Sequence, residues 1–577
     1  MPGPCPSQTQ SVRRSRRRTT PTRLFACALC TSIASLHRPS ARAEPRATAS
    51  AAQPRAANPP KLSPDQPPSP ALPKTAELLF RVALTADLSK EPVAGRLVVY
   101  LVRGGSPWNA RIDPAGGPFF FDPQPMFGVD VDGLTPGGTA IVDDRATAFP
   151  DKLSKLPPGA YRARAVLDRH RLNSRWRREP GNLFSDVVSF TVADPPQPQV
   201  IEFRLAHMVA QKAATKPSDG SKLVETFEIR SRLLSDFRKT PVMLRAGVVF
   251  PQDHDPDRAY AAVYHVPGFG GDHTGAYRTA MRLANEEKGS ARGVLARSSF
   301  TIVLDPEGPN GHHLFADSAN NGPVATALVT ELIPALEARF KLIREPSARL
   351  LRGHSSGGWS TLWLALHYPD VFGACWSSAP DPVDFRRMQK SDIYSQTNFY
   401  TEPATGTELG SFRTGADVRM TVREENLMEE VLGPDNTSAQ QWDSWFAAFG
   451  PRNAAGHPAA LFDPVTGRID AAVAAAYRAY DIGLLVKDNP SRYLPIFRRR
   501  VRLIVGDQDS FYLNEAVALL KETLDAIPHP SNTDPDHGYI RIIAGAGHGS
   551  VLRSDQARAI PSEMLDHLRR AGHLSTD

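Results

Sequence analysis

The stretch ARLLRGHSSGGWSTLWLALHYPD, Ala348 to Asp370, decides the fold. Leu350 and Leu351 lead in as the short apolar run of a buried strand. Trp359, Leu362, Trp363 and Leu366 then recur at i, i+3, i+4 and i+7, the spacing of a helix with one face in a core, and Pro369 stops it. Between the two stands Gly353-His354-Ser355-Ser356-Gly357, where only Ser355 is centred between glycines two residues before and two after. A serine on a tight strand-to-helix turn has its hydroxyl lifted above the sheet, and the glycines let neighbouring backbone approach the strained position. Ser356 falls at the next position, whose N–H is available to a developing oxyanion. The bland reading of the same residues is an ordinary Gly/Ser turn, so the rest of the chain must decide.

A serine hydroxyl is a poor nucleophile at neutral pH and needs a base held by an acid, which follow in the chain order Ser, Asp or Glu, His on this type of elbow. VRLIVGDQDSFYL supplies the acid: Asp507 and Asp509 lie just past an apolar strand, and the spacing Gly506-x-x-Asp509 favours Asp509. YIRIIAGAGHGS supplies the base, with His548 in a glycine-rich loop after the last strand; His529 and His537 are the neighbouring alternatives. VYHVPGFGGDH follows the strand expected beside the elbow, and its Gly268-Phe269-Gly270-Gly271 run can turn amides inward. The N–H groups of Phe269 and Ser356 are the expected oxyanion donors, each usually worth about 3 kcal/mol.

The chain of 577 residues is too long for one ordinary core. Its net charge of +7 invites a nucleic-acid reading that the location of the charge removes. Residues 1–43 hold eight of the 68 basic residues and no acid, leaving 60 Lys+Arg against 61 Asp+Glu in the remainder. That basic head runs into LFACALCTSIASL and then Ala41-Arg42-Ala43, the layout of an export signal with a small-x-small cleavage site, and an apolar run too short to span a bilayer. A disordered basic tail or a misassigned start codon is the alternative. Export predicts a periplasmic or extracellular protein; with Cys5, Cys27 and Cys30 in the head, the mature chain would keep only Cys375 and no internal disulfide.

Residues 44–75 are rich in Pro, Ala and Ser with few large apolar groups and read as a linker. From 76 to 195, short runs such as LLFRVALTADL, GRLVVYLVRGG, YRARAVLD and VVSFTVAD alternate between turn clusters, which predicts a small all-β sandwich, with ADPPQPQV as the linker that closes it. From 200 to 577, strands alternate with helices, including VATALVTELIPALEARF, which predicts an α/β domain on a mostly parallel sheet.

These residues together resemble the putative-esterase family of α/β-hydrolases, which groups esterase D-like, enterochelin esterase-like, feruloyl esterase-like and mycolyltransferase-like proteins. The resemblance rests on HVPGFGG, FADSANNG with ELIPALEARF, GHSSGGWSTLWLALHYPDVFG and the Asp509 and His548 segments, over roughly residues 225–380 and 498–570. It implies an α/β-hydrolase fold, Ser355 as nucleophile, His548 as general base, Asp509 as its orienter and an acyl-enzyme hydrolysed by water. It requires no metal or other cofactor.

Two segments depart from that pattern. An insertion at about 380–497 carries Trp442, Trp445, Phe446 and Phe449, which either line an acyl or aryl pocket under a cap or form the insertion's own core. The N-terminal β domain offers no readable site. His312, His313, Asp317, Asn320 and Asn321 form a polar loop after a sheet strand, so they either contact substrate or frame the pocket; no third ligand stands at a metal-binding spacing. The expected activity is exported cleavage of a small-molecule or polysaccharide-linked carboxylic ester, with no nucleic-acid partner and no integral membrane span. A serine peptidase or acyltransferase using the same triad, and a non-catalytic carbohydrate- or surface-binding protein on a hydrolase scaffold, are the competitors.

Overall fold

The structure is a computed structural model that describes residues 78–210, 223–527 and 537–575. The expected export signal and linker, with Cys5, Cys27, Cys30 and His529, lie outside the described residues.

The β domain contains β1 (Leu79–Leu84), β2 (Val93–Arg103), β3 (Met126–Leu134), β4 (Thr139–Val142), β5 (Thr147–Phe149), β6 (Gly159–Asp168), β7 (Leu183–Ser185), β8 (Val188–Val192) and β9 (Val200–Met208). They pair in the order β4-β1-β9-β7-β6-β2-β3-β5, with β8 also on β6. In a flat sheet β1 and β3, five places apart, would be separated by about 24 Å. Yet the rings of Phe80 on β1 and Phe127 on β3 are 5.9 Å apart, so the sheet folds over on itself around a core that includes Phe80, Leu97, Val99, Phe127 and Phe203. One boundary differs from expectation. The ADPPQPQV segment does not end the domain, because β9 returns after it and pairs in parallel with β1, Leu79 opposite Val200. Residues 200–208 therefore belong to the β sheet rather than to the α/β domain.

From Val224 onward the strands are β10 (Val224–Ser231), β11 (Val242–Val249), β12 (Ala261–Val266), β13 (Ser299–Leu304), the two-residue β14 (Glu307–Gly308) and β15 (Gly311–His312), β16 (Arg349–His354), β17 (Ala374–Ser378), the hairpin β18 (Gly410–Thr414) and β19 (Asp417–Thr421), β20 (Val501–Gly506) and β21 (Tyr539–Ile543). Eight of them form one mixed sheet, β10-β11-β13-β12-β16-β17-β20-β21. The pairings β10–β11 and β11–β13 are antiparallel, and those from β13 through β21 are parallel. The VATALVTELIPALEARF segment is helical from Val324 to Phe340, but the turn Leu328–Leu332 ahead of Pro334 is a π turn. Proline cannot donate to the helix and crowds the carbonyl four residues back; the wider turn accommodates that defect.

The insertion joins the two domains. Helix Val422–Leu432 starts from a capping box, Thr421 with Glu424, and packs Met428 and Val431, together with Met420 of β19, against Val98, Tyr100, Met126, Phe149 and Val166 of the β sheet. This explains why LVVYLV in β2 is apolar on every residue rather than on alternate ones: the strand is covered on both faces. Arg96 on the same strand donates from Nε to Val431 O at 2.9 Å and from Nη2 to Glu430 O at 3.2 Å, and pairs with Asp130 at 3.1 Å. Arg96→Ala leaves those helix-end carbonyls buried without donors and is expected to cost about 2–4 kcal/mol of stability, read by chemical denaturation. An unchanged midpoint would show that this contact does not hold the domains together.

Candidate active site

Ser355 sits between β16 and the helix Ser356–His367 with φ 59° and ψ −129°, a conformation costing a non-glycine residue on the order of 1–3 kcal/mol. It is held there by three backbone hydrogen bonds: Ser355 N to Ser378 O at 3.0 Å, Trp359 N to Ser355 O at 3.0 Å and Asp381 N to Ser355 O at 3.3 Å. The flanking glycines are needed for space. A methyl group on Gly353 would overlap the carbonyl of Gly357, and one on Gly357 would overlap that of Val266. The elbow is thus clamped between β17 on one side and the end of β12 on the other.

Past β20, Asp509 is fully buried and accepts from His548 Nδ1 at 2.8 Å through Oδ2; its Oδ1 accepts the N–H groups of Phe511 at 2.9 Å and Leu513 at 3.4 Å. Asp507 points elsewhere, accepting from Gly545 N at 2.8 Å at the base of the loop that carries His548. The His548 ring lies 4.5 Å from that of His354, the residue before Ser355, which puts the imidazole beside the elbow. Burial, the largest influence on His548, works against its protonation. The charge and hydrogen bond of Asp509 and the charge of Asp381 together outweigh it and hold the imidazole above its ordinary value.

The glycine turn after β12 runs beside Ser355. A methyl on Gly268 would lie 3.3 Å from Ser355 Cβ and 3.9 Å from its Oγ, and Gly271 N closes the turn on Gly268 O at 2.9 Å. The structure therefore places Phe269 on the turn that flanks the nucleophile, and Ser356 at the first position of the elbow helix.

The polar loop frames this turn. His312 is fully buried and both its nitrogens are engaged: Nε2 donates to Pro267 O at 3.0 Å and Nδ1 accepts from Leu314 N at 3.2 Å. His313 accepts from Phe315 N and packs on the Phe315 ring. Asp317 caps the helix that begins at Val324, and Asn320 Nδ2 donates to Gly450 O at 2.9 Å. Hydrogen bonding thus commits His312, Asp317 and Asn320 Nδ2 to the loop and to the insertion rather than leaving them open to substrate, while Asn320 Oδ1 and Asn321 Nδ2 are buried without a hydrogen-bond partner among the described residues. The same correction applies to the aromatics of the insertion. Trp442 is fully buried against Phe399, Trp445 and Phe462, so it belongs to the insertion's core.

Trp445 is also buried, but its indole N–H reaches the site indirectly, donating to Asp381 Oδ2 at 2.8 Å. Asp381, which the sequence reading overlooked, stands just after β17. Burial pushes its carboxyl up to about 6, against the opposing pull of the Ser356 hydroxyl and the Trp445 N–H. It is a second carboxylate acting on His548; the available signal was an acid in SSAPDP at the end of the strand next to the elbow. Among the described residues no group of three His, Cys, Asp or Glu is positioned to hold a metal ion, and no helix is long and apolar enough to cross a membrane.

A mixed sheet with a serine on its strand-to-helix elbow, and an acid and a histidine after the following strands, defines an α/β-hydrolase-type fold. Residues 241–458 match the family model described as putative esterase; the match includes the glycine turn and the elbow, runs on into the segment expected as an insertion from about 380, and ends before Asp509 and His548, and ester hydrolysis in the general sense is the activity it supports. Solved structures similar to this chain include a ferulic acid esterase, at 13% identity over 60% of this chain and 98% of that one with a TM-score of 0.35. FphF, a fluorophosphonate-binding serine hydrolase of Staphylococcus aureus, aligns at 14% identity over 60% and 97% with a TM-score of 0.32. An S-formylglutathione hydrolase from Agrobacterium tumefaciens aligns at 16% over 61% and 94% with a TM-score of 0.30. At these scores the likenesses carry no argument about substrate. No curated protein matches the chain.

Proposed function

We propose that this protein is a serine hydrolase that cleaves a carboxylic ester through an acyl-enzyme, and that it acts outside the cytoplasm, in the periplasm or beyond the cell. The observation that carries the reading is the strained Ser355 elbow beside a buried His548–Asp509 pair. In this reading Ser355 Oγ attacks the ester carbonyl while His548 Nε2 takes its proton, and Asp509 keeps the other ring proton on Nδ1 and stabilises the imidazolium. The N–H groups of Phe269 and Ser356 receive the developing oxyanion. His548 then protonates the departing alcohol, and water, activated by the same imidazole, releases the acid. The basic, apolar, small-x-small order of residues 1–43 supports export.

The test is a panel of short-chain acyl, feruloyl, sugar-acetate and catecholate esters set against matched amides and against alcohol acceptors. Ester turnover with burst release of the alcohol is expected. Preferential amide cleavage would make the protein a peptidase, and acyl transfer in place of hydrolysis an acyltransferase. Absence of turnover together with failure to label by a fluorophosphonate would return it to a binding role.

The pH dependence is a separate check. The base must be neutral, so kcat/KM rises with pH through the pKa of His548 in the free enzyme. Because Asp509 and Asp381 raise that pKa, the inflection is expected above the ordinary histidine value of about 6.5. Asp381→Asn removes one of the raising charges and should move the inflection down. An inflection that stays in place would show that the Asp381 charge does not reach the imidazole.

A further inference from the structure

We propose that the β domain supplies part of the active site, and that its Arg175 binds an anionic group on the ester substrate; this rests on the esterase reading above. The segment Arg171–Arg178 leaves the β sheet and lies against the residues around the nucleophile. Ser174 donates from its N and Oγ to the half-buried Glu307, at 3.2 Å and 3.1 Å to Oε2. Gln440 of the insertion donates to Ser174 O at 2.9 Å, and Arg171 donates to Thr437 Oγ1 at 3.2 Å. Arg178 pairs with Asp272 at 3.0 Å, immediately after the Gly268–Gly271 turn, and Arg177 pairs with Asp113. The segment is thus fixed in place by both the α/β domain and the insertion.

Arg175 is the exception within it. Its side chain is exposed, and among the described residues its guanidinium has no hydrogen bond or ion pair. It lies on Gly270: a methyl group there would come within 2.8 Å of both Nε and Nη2. Gly270 and Gly268 share one four-residue turn, and Gly268 faces Ser355 Oγ. Given the span of such a turn, the cation stands within about 15 Å of the reacting hydroxyl. On the other side of the triad the β domain sends Phe120 against Phe511, at 6.0 Å between rings, and Phe511 lies 4.9 Å from the His548 ring. The domain therefore borders the nucleophile with a cation on the oxyanion side and an aromatic surface on the histidine side. An unpaired planar guanidinium is suited to bidentate recognition of a carboxylate, and its location beside the nucleophile fits an ester that carries a negative charge on its acyl or its alcohol part.

Two matched pairs of esters test this. In one the anion is on the acyl part, 4-nitrophenyl hemisuccinate against 4-nitrophenyl butyrate; in the other it is on the alcohol part, 4-acetoxybenzoate against phenyl acetate. The readout is the ratio of kcat/KM for the anionic over the neutral member. Arg175→Ala is expected to lower that ratio roughly ten- to a hundredfold in at least one pair, through KM, the range of a lost charged hydrogen bond. Arg175→Lys should restore part of it and Arg175→Glu lower it further. Ratios unchanged in both pairs would overturn the proposal. If the wild-type protein hydrolyses none of the four, Arg175 is read by calorimetry of 4-acetoxybenzoate binding to the Ser355→Ala protein, and the esterase reading is judged separately by the wider ester panel and fluorophosphonate labelling. A Kd at least tenfold weaker on adding Arg175→Ala supports the anion site, and equal binding or none overturns it.

Discussion

Replacing Ser355 with alanine is expected to lower kcat about a millionfold, the loss typical of deleting a serine nucleophile. The geometry makes this a clean experiment. Alanine meets the same positive-φ penalty as serine, and the three hydrogen bonds that hold residue 355 are all made by backbone atoms, so the fold should survive while the attacking oxygen disappears. Labelling by a fluorophosphonate should vanish with turnover. Ser356→Ala is the control, because it keeps the N–H that would face the oxyanion, and its effect is expected to stay within a few-fold. A Ser355→Ala enzyme that still turns over at the wild-type rate would sink the assignment of the nucleophile.

Asp509→Asn is expected to lower kcat about ten-thousandfold, the size of the loss when an isosteric change inverts the histidine tautomer in a triad. The direction of the amide is dictated by the surroundings. Oδ1 of Asp509 accepts the N–H groups of Phe511 and Leu513, so the asparagine must keep its oxygen there and turn its NH₂ towards His548. Nδ1 of the ring must then accept, which moves the ring proton to Nε2, the nitrogen that has to be free to take the proton of Ser355. Asp507→Asn should be mild, because that side chain accepts only a backbone N–H from Gly545 and an amide oxygen can do the same. Equal losses in the two variants would contradict the assignment of the acid.

The two substitutions also show how much of the site was legible in the residues. Ser355, Asp509 and His548 each follow an apolar strand and each stand among glycines, so local pattern and chain order point to them. Asp381 follows a strand as well, but its role depends on an indole 64 positions later in the chain, which no local pattern records. His312 and Trp442 illustrate the opposite difficulty. Their residue types suit substrate contact, and only the partners, Pro267 O for one and a cluster of aromatic rings for the other, show that they are already committed. The strands of the β domain that alternate strongly were visible, whereas β9 lay hidden behind a proline-rich segment that resembles a terminal linker. The contact between Arg96 and Val431 spans 335 positions, and the insertion that makes it looked like a cap because its docking face cannot be recognised without the sheet it covers.

That docking face has a consequence for how the protein can be divided. Met420, Met428 and Val431 are buried by the β domain, and each gains about 1.5–3 kcal/mol from being out of water. A catalytic fragment starting near Val224 would carry this apolar stripe bare, next to the very insertion whose Trp445 reaches Asp381. Such a fragment should aggregate or bind other apolar surfaces, and a β domain prepared alone would present the matching face. The two halves therefore depend on each other: swapping the N-terminal domain for another of similar size would need a replacement for its contact with the insertion as well as for its fold.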